Sequence, residues 1–393
     1  MVKEVRRLSV TIGLLYESVK NHDIKLIAGE KGLSKAVKWV HMVENIEIAT
    51  FLEGGEVTFL TGIGLSNEFE LINLIEGIIK SKASGIVINI GPYIKKIDKK
   101  CIDYCNETNT PLFVVPWHVH MAEIMRVFCI KITENEKNSL EISTSIQNAI
   151  FYHEREDLYL SQLEIHGFKS ENKYCIAVFD VNKFDMINDE KYIIRLNECI
   201  ENYLSVYYKQ AVCVRINNQL IFLFMNTTES KVLEILQKIV KHCESKHLIK
   251  SIFIGIGKET KSIRCIYKSY RQADSVVIIN RKKYNNDICR YDDIGIYKLL
   301  FAIQDRNVIR SFIDETIGKV IEYDSYNNTD YFTVLRCYLS YNGSLQDTAN
   351  ELYIHRNTVN YKIKKSEEIL NVDLSKLEIR EMIDIAYKLH DIL

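Results

Sequence analysis

Short apolar runs alternate with amphipathic segments along the first 116 residues of the chain. Residues 57–61, 85–90 and 112–115 have the composition of short buried strands, and residues 69–80 and 95–107 have helical patterns. All three prolines and ten of the sixteen glycines fall in this stretch, which indicates a separate N-terminal domain. Strands that alternate with helices predict an α/β domain with a largely parallel sheet.

A mainly polar segment follows at residues 132–163. Its apolar residues recur at helical spacing and are Ile142, Ile146, Ile150, Leu160 and Leu163. This pattern predicts a connecting helix. Such a helix either pairs with its copy in a dimer or simply joins two domains, and the pattern leaves both interpretations open.

The middle of the chain has a different order of elements. Strand patterns at residues 174–179, 211–216, 220–225 and 251–256 combine with helical patterns at 192–203 and 230–243. A turn at residues 217–219 separates the second strand from the third. The order β-α-β-β-α-β predicts a ferredoxin-like domain.

Near the C-terminus, two short helices separated by a tight turn are predicted. Gly343 is a natural stop for the preceding helix, and Ser344 can cap the next one with Asp347 as its capping-box partner. Ala349 is small enough to let the second helix cross closely. The pattern is typical of a helix-turn-helix, which presents its second helix to the major groove of DNA.

The second helix has two chemically different sides. Val359, Ile363, Ser366 and Leu370 fall along one side, and Asn357, Asn360, Tyr361 and Lys364 fall along the other. From His355 to Lys365 there are four full positive charges and no carboxylate. Asn can pair with adenine, Arg with guanine and Lys with phosphate. We therefore predict a DNA-binding surface of His355, Arg356, Asn357, Thr358, Asn360, Tyr361, Lys362 and Lys364. The alternative is an ordinary amphipathic helix with a solvated face.

Composition limits the class of protein. The 393 residues suffice for two or three domains, and 47% hydrophobic with 26% charged residues indicates a globular chain. Apolar runs stay well below the roughly 20 residues of a membrane helix, so a cytoplasmic protein is expected. Since the net charge is −1, affinity for nucleic acid must come from a local patch. Neither the pair Cys101 and Cys105 nor His118 and His120 has the spacing of a zinc site, so no metal or cofactor is predicted.

Residues 291–393 resemble the C-terminal module of PucR/CdaR-type bacterial transcriptional regulators, most specifically at residues 353–363 and 370–374, and are also similar to the Fis-type helix-turn-helix. The N-terminal stretch resembles the PucR regulatory domain at residues 28–33, 37–41, 54–57, 61–62 and 115–117. The resemblance implies a domain that senses small metabolites, often nitrogen-rich ones such as products of purine breakdown.

In open α/β sheets, ligands bind beyond the carboxyl ends of the strands. Thr61, Gly62, Asn89 and Gly91 are predicted at those ends and form our hypothesis for the ligand pocket. The alternative is that the glycines serve tight turns only.

The middle segment resembles a GGDEF-type nucleotide cyclase domain. Asp180, Asn182 and Asp185, followed by Asn188 and Asp189, are similar to its first metal-and-base motif. Cyclase chemistry also needs carboxylates at the hairpin that reads Arg215-Ile216-Asn217-Asn218-Gln219-Leu220-Ile221, where neither the carboxylates nor the signature glycines are present. A non-catalytic domain is therefore predicted, with a nucleotide cyclase or nucleotide-binding protein as the alternative.

The expected protein is a one-component transcriptional regulator of multidomain α/β + α class. Its domains are an α/β sensor at 1–131, a helical linker at 132–165, a degenerate GGDEF-like ferredoxin-like domain at 166–290 and an all-α helix-turn-helix domain at 291–393. Its expected partners are double-stranded DNA, a small-molecule effector and at least one further copy of itself, with no membrane. The resemblance implies control of genes for the catabolism of purines or other nitrogen compounds.

Overall fold

The computed structural model describes residues 10–65, 68–180, 190–249, 252–282 and 287–393. The chain divides into two compact units, Met1–Ala273 and Asp274–Leu393. Among the described helices, none combines the length and apolar character needed to cross a membrane.

The N-terminal α/β domain is built on one sheet. Its elements in chain order are α1 (Ile12–Val19), β1 (Lys25–Ala28), β2 (Trp39–Met42), α2 (Ile46–Ala49), β3 (Glu56–Leu60), α3 (Glu68–Lys80), β4 (Gly85–Ile90), α4 (Lys99–Glu107), β5 (Leu112–Pro116) and α5 (Met121–Phe151). The strands lie in the order β1-β5-β4-β3-β2. Strands β2 to β5 are parallel and β1 is antiparallel to β5, which confirms the predicted parallel sheet.

Helices cover both faces of this sheet. Along β4, Ile86 and Ile88 belong to the apolar core on the side of α2, α3 and α4, whereas Val87 belongs to the core on the side of α1 and α5. This alternation follows from the two-residue period of a strand. A strand buried on both faces therefore appears in the sequence as a continuous apolar run, as residues 85–90 do.

Helix α5 begins at Met121, earlier than the predicted linker, and ends at Phe151, within the predicted range. Its first half lies in the sensor core, where Ile124 and Phe128 are buried. Further along, Ile142, Ile146 and Ile150 are also buried within the chain. These residues cannot form a seam with a second copy, so the structure favours the interpretation of α5 as a connecting helix.

The middle domain contains a second sheet. Its elements are α6 (Leu160–Ile165), β6 (Tyr174–Asp180), α7 (Glu190–Tyr207), β7 (Ala211–Ile216), β8 (Gln219–Met225), α8 (Glu229–Ser245), β9 (Phe253–Ile256) and α9 (Ile266–Lys282). The first unit contributes strands in the order β9-β6-β8-β7, and neighbouring strands are antiparallel. This is the ferredoxin-like arrangement that the order of elements predicted.

The second unit is mainly helical. After β10 (Asp287–Arg290) come α10 (Tyr297–Leu300), α11 (Arg306–Ile313), a π-helical turn (Asp314–Gly318), α12 (Lys319–Asn327), α13 (Tyr331–Ser340), α14 (Leu345–Glu351), α15 (Arg356–Leu370) and α16 (Leu377–Ile392). These helices share one apolar core, which includes Ile317, Val334, Val359 and Ile383. The predicted all-α C-terminal domain is confirmed.

Cys101 and Cys105, which the sequence places one helical turn apart, have a packing role. Cys101 and Cys105 lie one turn apart on α4 and are both buried in the sensor core. In the described part of the chain, no group of three or more histidine, cysteine, aspartate and glutamate side chains could hold a metal ion.

Candidate nucleic-acid interface

Helices α14 and α15 form the predicted helix-turn-helix. Gly343 adopts a left-handed φ of 83° after α13, and its N–H donates to the Tyr338 carbonyl at 2.9 Å. The Ser344 hydroxyl accepts from the Asp347 N–H at 3.2 Å and so caps α14. The reciprocal bond of the predicted capping box does not form, because the Ser344 N–H donates to the Tyr341 carbonyl at 2.9 Å.

A tight turn separates the two helices. Tyr353 has a left-handed φ of 55° and is 95% exposed. The Ile354 N–H reaches back to the carbonyl of Ala349 at 3.1 Å, beside the buried methyl group that lets the helices approach. The His355 Nδ1 atom accepts from the Asn357 N–H at 3.1 Å, so this histidine is the N-cap of α15.

The two sides of α15 are separated as predicted. Val359, Ile363, Ser366 and Leu370 are all buried. Asn357, Asn360, Tyr361 and Lys364 are all exposed, as are His355, Arg356 and Thr358. With its side chains an α-helix is about 10–12 Å across, which suits a major groove about 12 Å wide.

The positive charges of this helix are not equivalent. Lys362 forms an ion pair with Asp330 at the start of α13, and its side chain is only 20% exposed. Lys365 pairs with Glu368 at a distance of 2.8 Å between Nζ and Oε2. Arg356 and Lys364 are exposed and form no ion pair with any described residue. The outer face therefore presents two available cations.

Buried polar contacts fix the helices that support α15. The Asp391 carboxylate on α16 is 4% exposed, and its Oδ2 atom accepts from Arg336 Nη2 at 2.8 Å and from the Tyr297 hydroxyl at 3.0 Å. Burial, together with the nearby carboxylate, raises the pKa of Tyr297 above its usual range, so this hydroxyl remains a donor. The contacts join α10, α13 and α16.

In the sensor domain, Thr61 and Gly62 lie together just beyond β3. Their polar groups are occupied by Glu44, whose Oε1 accepts from the Thr61 hydroxyl at 2.7 Å and whose Oε2 accepts from the Gly62 N–H at 3.0 Å. The Thr61 N–H also donates to this carboxylate, at 3.1 Å from Oε1. The loop is thus a small anion site that the chain fills with its own carboxylate.

The two residues predicted at the carboxyl end of β4, Asn89 within the strand and Gly91 just after it, are also engaged within the protein. The Asn89 side chain is 3% exposed, and its Nδ2 donates to the carbonyls of Val115 and Pro116 at 3.4 and 3.3 Å. A Cβ atom at Gly91 would lie 2.4 Å from the ring of Trp117. The close approach of this ring accounts for the glycine without a ligand.

The middle domain has no acidic cluster at the hairpin where a cyclase needs one. Gln219 begins β8 directly opposite Asp180, and its Oε1 atom accepts from the Tyr270 hydroxyl at 2.9 Å. The turn between β7 and β8 consists of Asn217, with a φ of 52°, and Asn218. The other predicted motif residues, Asn182, Asp185, Asn188 and Asp189, lie outside the described residues.

Two contacting carboxylates were missed in the sequence. Asp330 neutralises Lys362 from 32 residues away, and Glu44 reaches Thr61 from 17 residues away. Neither residue lies in a recognisable motif, so no local signal could have indicated its partner.

Three family descriptions match the chain. Residues 14–132 match PucR, the purine catabolism regulatory protein-like family, residues 152–277 match the GGDEF-like domain, and residues 331–389 match the PucR C-terminal helix-turn-helix domain. The chain therefore matches PucR-type domains at both ends, with a GGDEF-like domain between them. Helices α14 and α15 of this PucR-type chain lie wholly within the matched helix-turn-helix range.

Three of its curated relatives from Bacillus subtilis (strain 168) are named as regulators. The chain is 27% identical over 192 residues to the proline-responsive transcriptional activator PutR, with 47% of each chain covered. It is 21% identical over 265 residues to the DNA-binding transcriptional activator AdeR, covering 66% of this chain and 61% of AdeR. It is 27% identical over 131 residues to the purine catabolism regulatory protein, covering 33% of this chain and 24% of that protein. The PucR-type chain thus spans about half the length of PutR and three fifths of AdeR.

Proposed function

We propose that this PucR-type chain is a one-component transcriptional regulator that binds double-stranded DNA through α15. The observation that carries the proposal is the exposed, carboxylate-free outer row of α15 above a fully buried inner row. A solvated surface helix has no need of four exposed residues suited to base edges and phosphates, namely Arg356, Asn357, Asn360 and Lys364. The helix-turn-helix match and the relatives named as transcriptional activators support the same function.

The exposed residues of α15 have distinct proposed roles. Asn357 and Asn360 read base edges, Arg356 reads guanine or binds phosphate, and Lys364 binds phosphate. The remaining proposed contacts, at the ends and flanks of the row, come from His355, Thr358, Tyr361 and Lys362. Lys362 can contribute its charge only after it leaves Asp330.

The proposed DNA-binding form is a homodimer or a higher oligomer acting in the cytoplasm. A single recognition helix buries little surface and reads few bases. Two copies of α15 on half-sites about 34 Å apart, one helical turn of DNA, would double the contacts. Since Ile142, Ile146 and Ile150 of α5 are buried within the chain, these three residues are not part of the proposed dimer surface.

The proposed effector is a small nitrogen-containing metabolite, and the regulated genes serve the catabolism of purines or other nitrogen compounds. The names of two relatives, a proline-responsive activator and a purine catabolism regulatory protein, support this class. The region of Thr61, Gly62, Asn89 and Gly91 is one proposed binding place. A ligand there would have to displace the Glu44 carboxylate.

The middle domain is proposed to lack cyclase activity. Leucine, asparagine and glutamine side chains at the β7–β8 hairpin cannot supply the acidic ligands that Mg²⁺ requires. Incubation of the protein with GTP and Mg²⁺ should yield no cyclic dinucleotide, and formation of that product would favour the enzyme.

The experiment that tests DNA binding uses genomic fragments and the full-length protein. Fragments retained by the protein are sequenced, and the strongest is used in a fluorescence anisotropy titration. Replacing Arg356 and Lys364 together by Ala should abolish specific retention. The matched control replaces Lys365 and Lys388, whose charges are already paired with Glu368 and with Asp384. Equal affinity of the first variant and the control would contradict the proposal.

A further inference from the structure

A cleft of about 980 Å³ lies between the N-terminal α/β domain and the ferredoxin-like domain, within the first unit. One wall comes from the segments just before β2, β3 and β4, at the amino ends of the parallel strands. The other wall comes from α7 and the segment after α8, and α5 contributes between them. The cleft is therefore at the opposite edge of the sheet from Thr61 and Asn89, and its volume suits a metabolite.

The sensor wall of the cleft is held in place by its own hydrogen bonds. The Lys38 N–H donates to the Gly55 carbonyl at 2.9 Å, and the Gly54 N–H donates to Glu56 Oε2 at 2.9 Å. Across the cleft, Lys38 Nζ lies 2.9 Å from Oε1 of Glu198 on α7. The two walls are thus joined by the ion pair of Lys38 with Glu198.

Charged groups dominate the lining. The basic residues are Lys35, Lys38, Lys82, Arg195 and Lys246, and the acidic residues are Glu53, Glu136, Glu198 and Glu201. Lys82 and Arg195 come from opposite walls, and neither forms an ion pair with any residue that the structure describes. An anion bound in the cleft would be attracted by a cation from each wall.

Lys82 also occupies an unusual backbone position. It has a left-handed φ of 61° just after α3, a position at which glycine or asparagine normally ends a helix. A lysine there carries a conformational cost that a glycine would avoid. The conformation places Lys82 beside Gly54 and Gly55 on the rim of the cleft.

One of the four carboxylates in the lining is not fully ionised. Burial raises the pKa of Glu201 on α7 to about 7, and Asn197 Nδ2 donates to its Oε1 at 2.7 Å. Near neutral pH, this group therefore adds less negative charge than the other three glutamates. The lining as a whole is cationic, with carboxylate acceptors distributed among the cations.

We propose that this cleft binds a small organic acid that also carries N–H groups, with its carboxylate between Lys82 and Arg195 and its N–H groups donating to the glutamates. The role of this ligand as an effector rests on the proposed function. A ligand that contacts both domains stabilises the domain arrangement in which both contacts are made, and it shifts the equilibrium between arrangements only by its differential affinity for them.

The test is calorimetric titration of the full-length protein with the common α-amino acids and N-carbamoylglycine, each beside its carboxamide, which lacks the carboxylate. At least one acid should bind while its carboxamide does not. Arg195→Gln and Lys82→Gln should each weaken that binding by about ten- to hundredfold, the range for loss of one charge-assisted hydrogen bond. Lys80→Gln, which removes a surface lysine paired with Glu76, is the matched control and should bind as the wild type does.

Three results would overturn the cleft as the site. The first is that none of the acids binds. The second is that Arg195→Gln and Lys82→Gln bind the acid as tightly as Lys80→Gln does. The third is that Thr61→Val abolishes binding of the acid and the two cleft variants do not, which would place the ligand at the carboxyl ends of the strands. DNA binding is measured separately on the same proteins without ligand, and the cleft variants should retain it. A wild-type protein that does not bind DNA would contradict the proposed function, whereas the titrations with the acids decide whether the cleft is a binding site.

Discussion

Replacing Lys364 by Gln is expected to reduce the salt dependence of DNA binding by a defined amount. Lys364 is exposed on the outer row of α15 and forms no ion pair with the described residues, so its full charge is available to a phosphate. Glutamine has nearly the same helix propensity as lysine, and the substitution should leave the helix intact. The change therefore isolates one charge.

The magnitude follows from counterion release. Each phosphate contact contributes about 0.9 to the slope of log K against log salt concentration, so one copy of α15 on DNA predicts a loss of about 0.9. A dimer that places two copies on DNA predicts a loss of about 1.8. At about 0.1 M salt, the corresponding losses of affinity are about eightfold and about sixtyfold. The size of the change thus reports how many helices are bound.

The assay is fluorescence anisotropy on the selected DNA fragment over a series of salt concentrations. Lys365→Gln is the matched control, because it removes the same charge from the adjacent residue, where Glu368 already pairs with it at 2.8 Å. The control should leave the slope nearly unchanged. If both variants change the slope equally, binding depends on the general charge of the domain, and the assignment of Lys364 to a phosphate is wrong.

Three further predictions concern stability. In the folded protein the pKa of Glu201 is raised from 4.5 to about 7, so the folded state keeps a proton that the unfolded state has already lost. As the pH rises through that interval, the free energy of unfolding of the wild type should therefore fall by about 3 kcal/mol relative to that of Glu201→Gln, measured by urea unfolding at each pH. Asp391→Ala should lower the free energy of unfolding by about 2–4 kcal/mol, because it removes a buried carboxylate from its partners Arg336 and Tyr297. Asp384→Ala, which breaks an ion pair at the surface, should lower it by less than about 1 kcal/mol. Equal thermal midpoints of the two variants would refute this prediction. Gly62→Ala should lower the free energy of unfolding by about 1–3 kcal/mol more than Gly64→Ala does. Both glycines have left-handed φ angles, but only a Cβ atom at Gly62 would meet a neighbour, the Ile94 side chain at 2.5 Å. Equal urea midpoints of the two variants would contradict this prediction.

The helix-turn-helix could be predicted closely because its determinants are local. The cap at Ser344, the small Ala349 and the inner row from Val359 to Leu370 are all specified within a few residues of where they act. The ferredoxin-like order of strands and helices could also be predicted, since each element has its own period. In both cases, short-range patterns decide which face of an element is buried.

Contacts between distant residues could not be predicted in this way. The ion pair of Lys362 with Asp330 removes one of the four charges that the sequence places on α15. The Glu44 carboxylate fills the loop at Thr61, and the cleft on the other side of the sheet is formed by residues from both domains. Each depends on how separate elements pack together, which a single sequence does not state.

The small number of available cations has a consequence for regulation. With a net charge of −1, the chain has no general attraction for DNA, and the only cations of α15 without an ion pair to the described residues are Arg356 and Lys364. Such a helix alone should bind weakly at physiological salt. Two helices held at the spacing of two half-sites gain affinity because the second contact is intramolecular, and they lose this gain when the geometry forbids simultaneous binding. A protein with a strongly basic reader would bind DNA in any arrangement. In the proposed dimer, the weak charge of α15 therefore makes DNA binding sensitive to the spacing of the two helices, which is the quantity that the proposed effector changes.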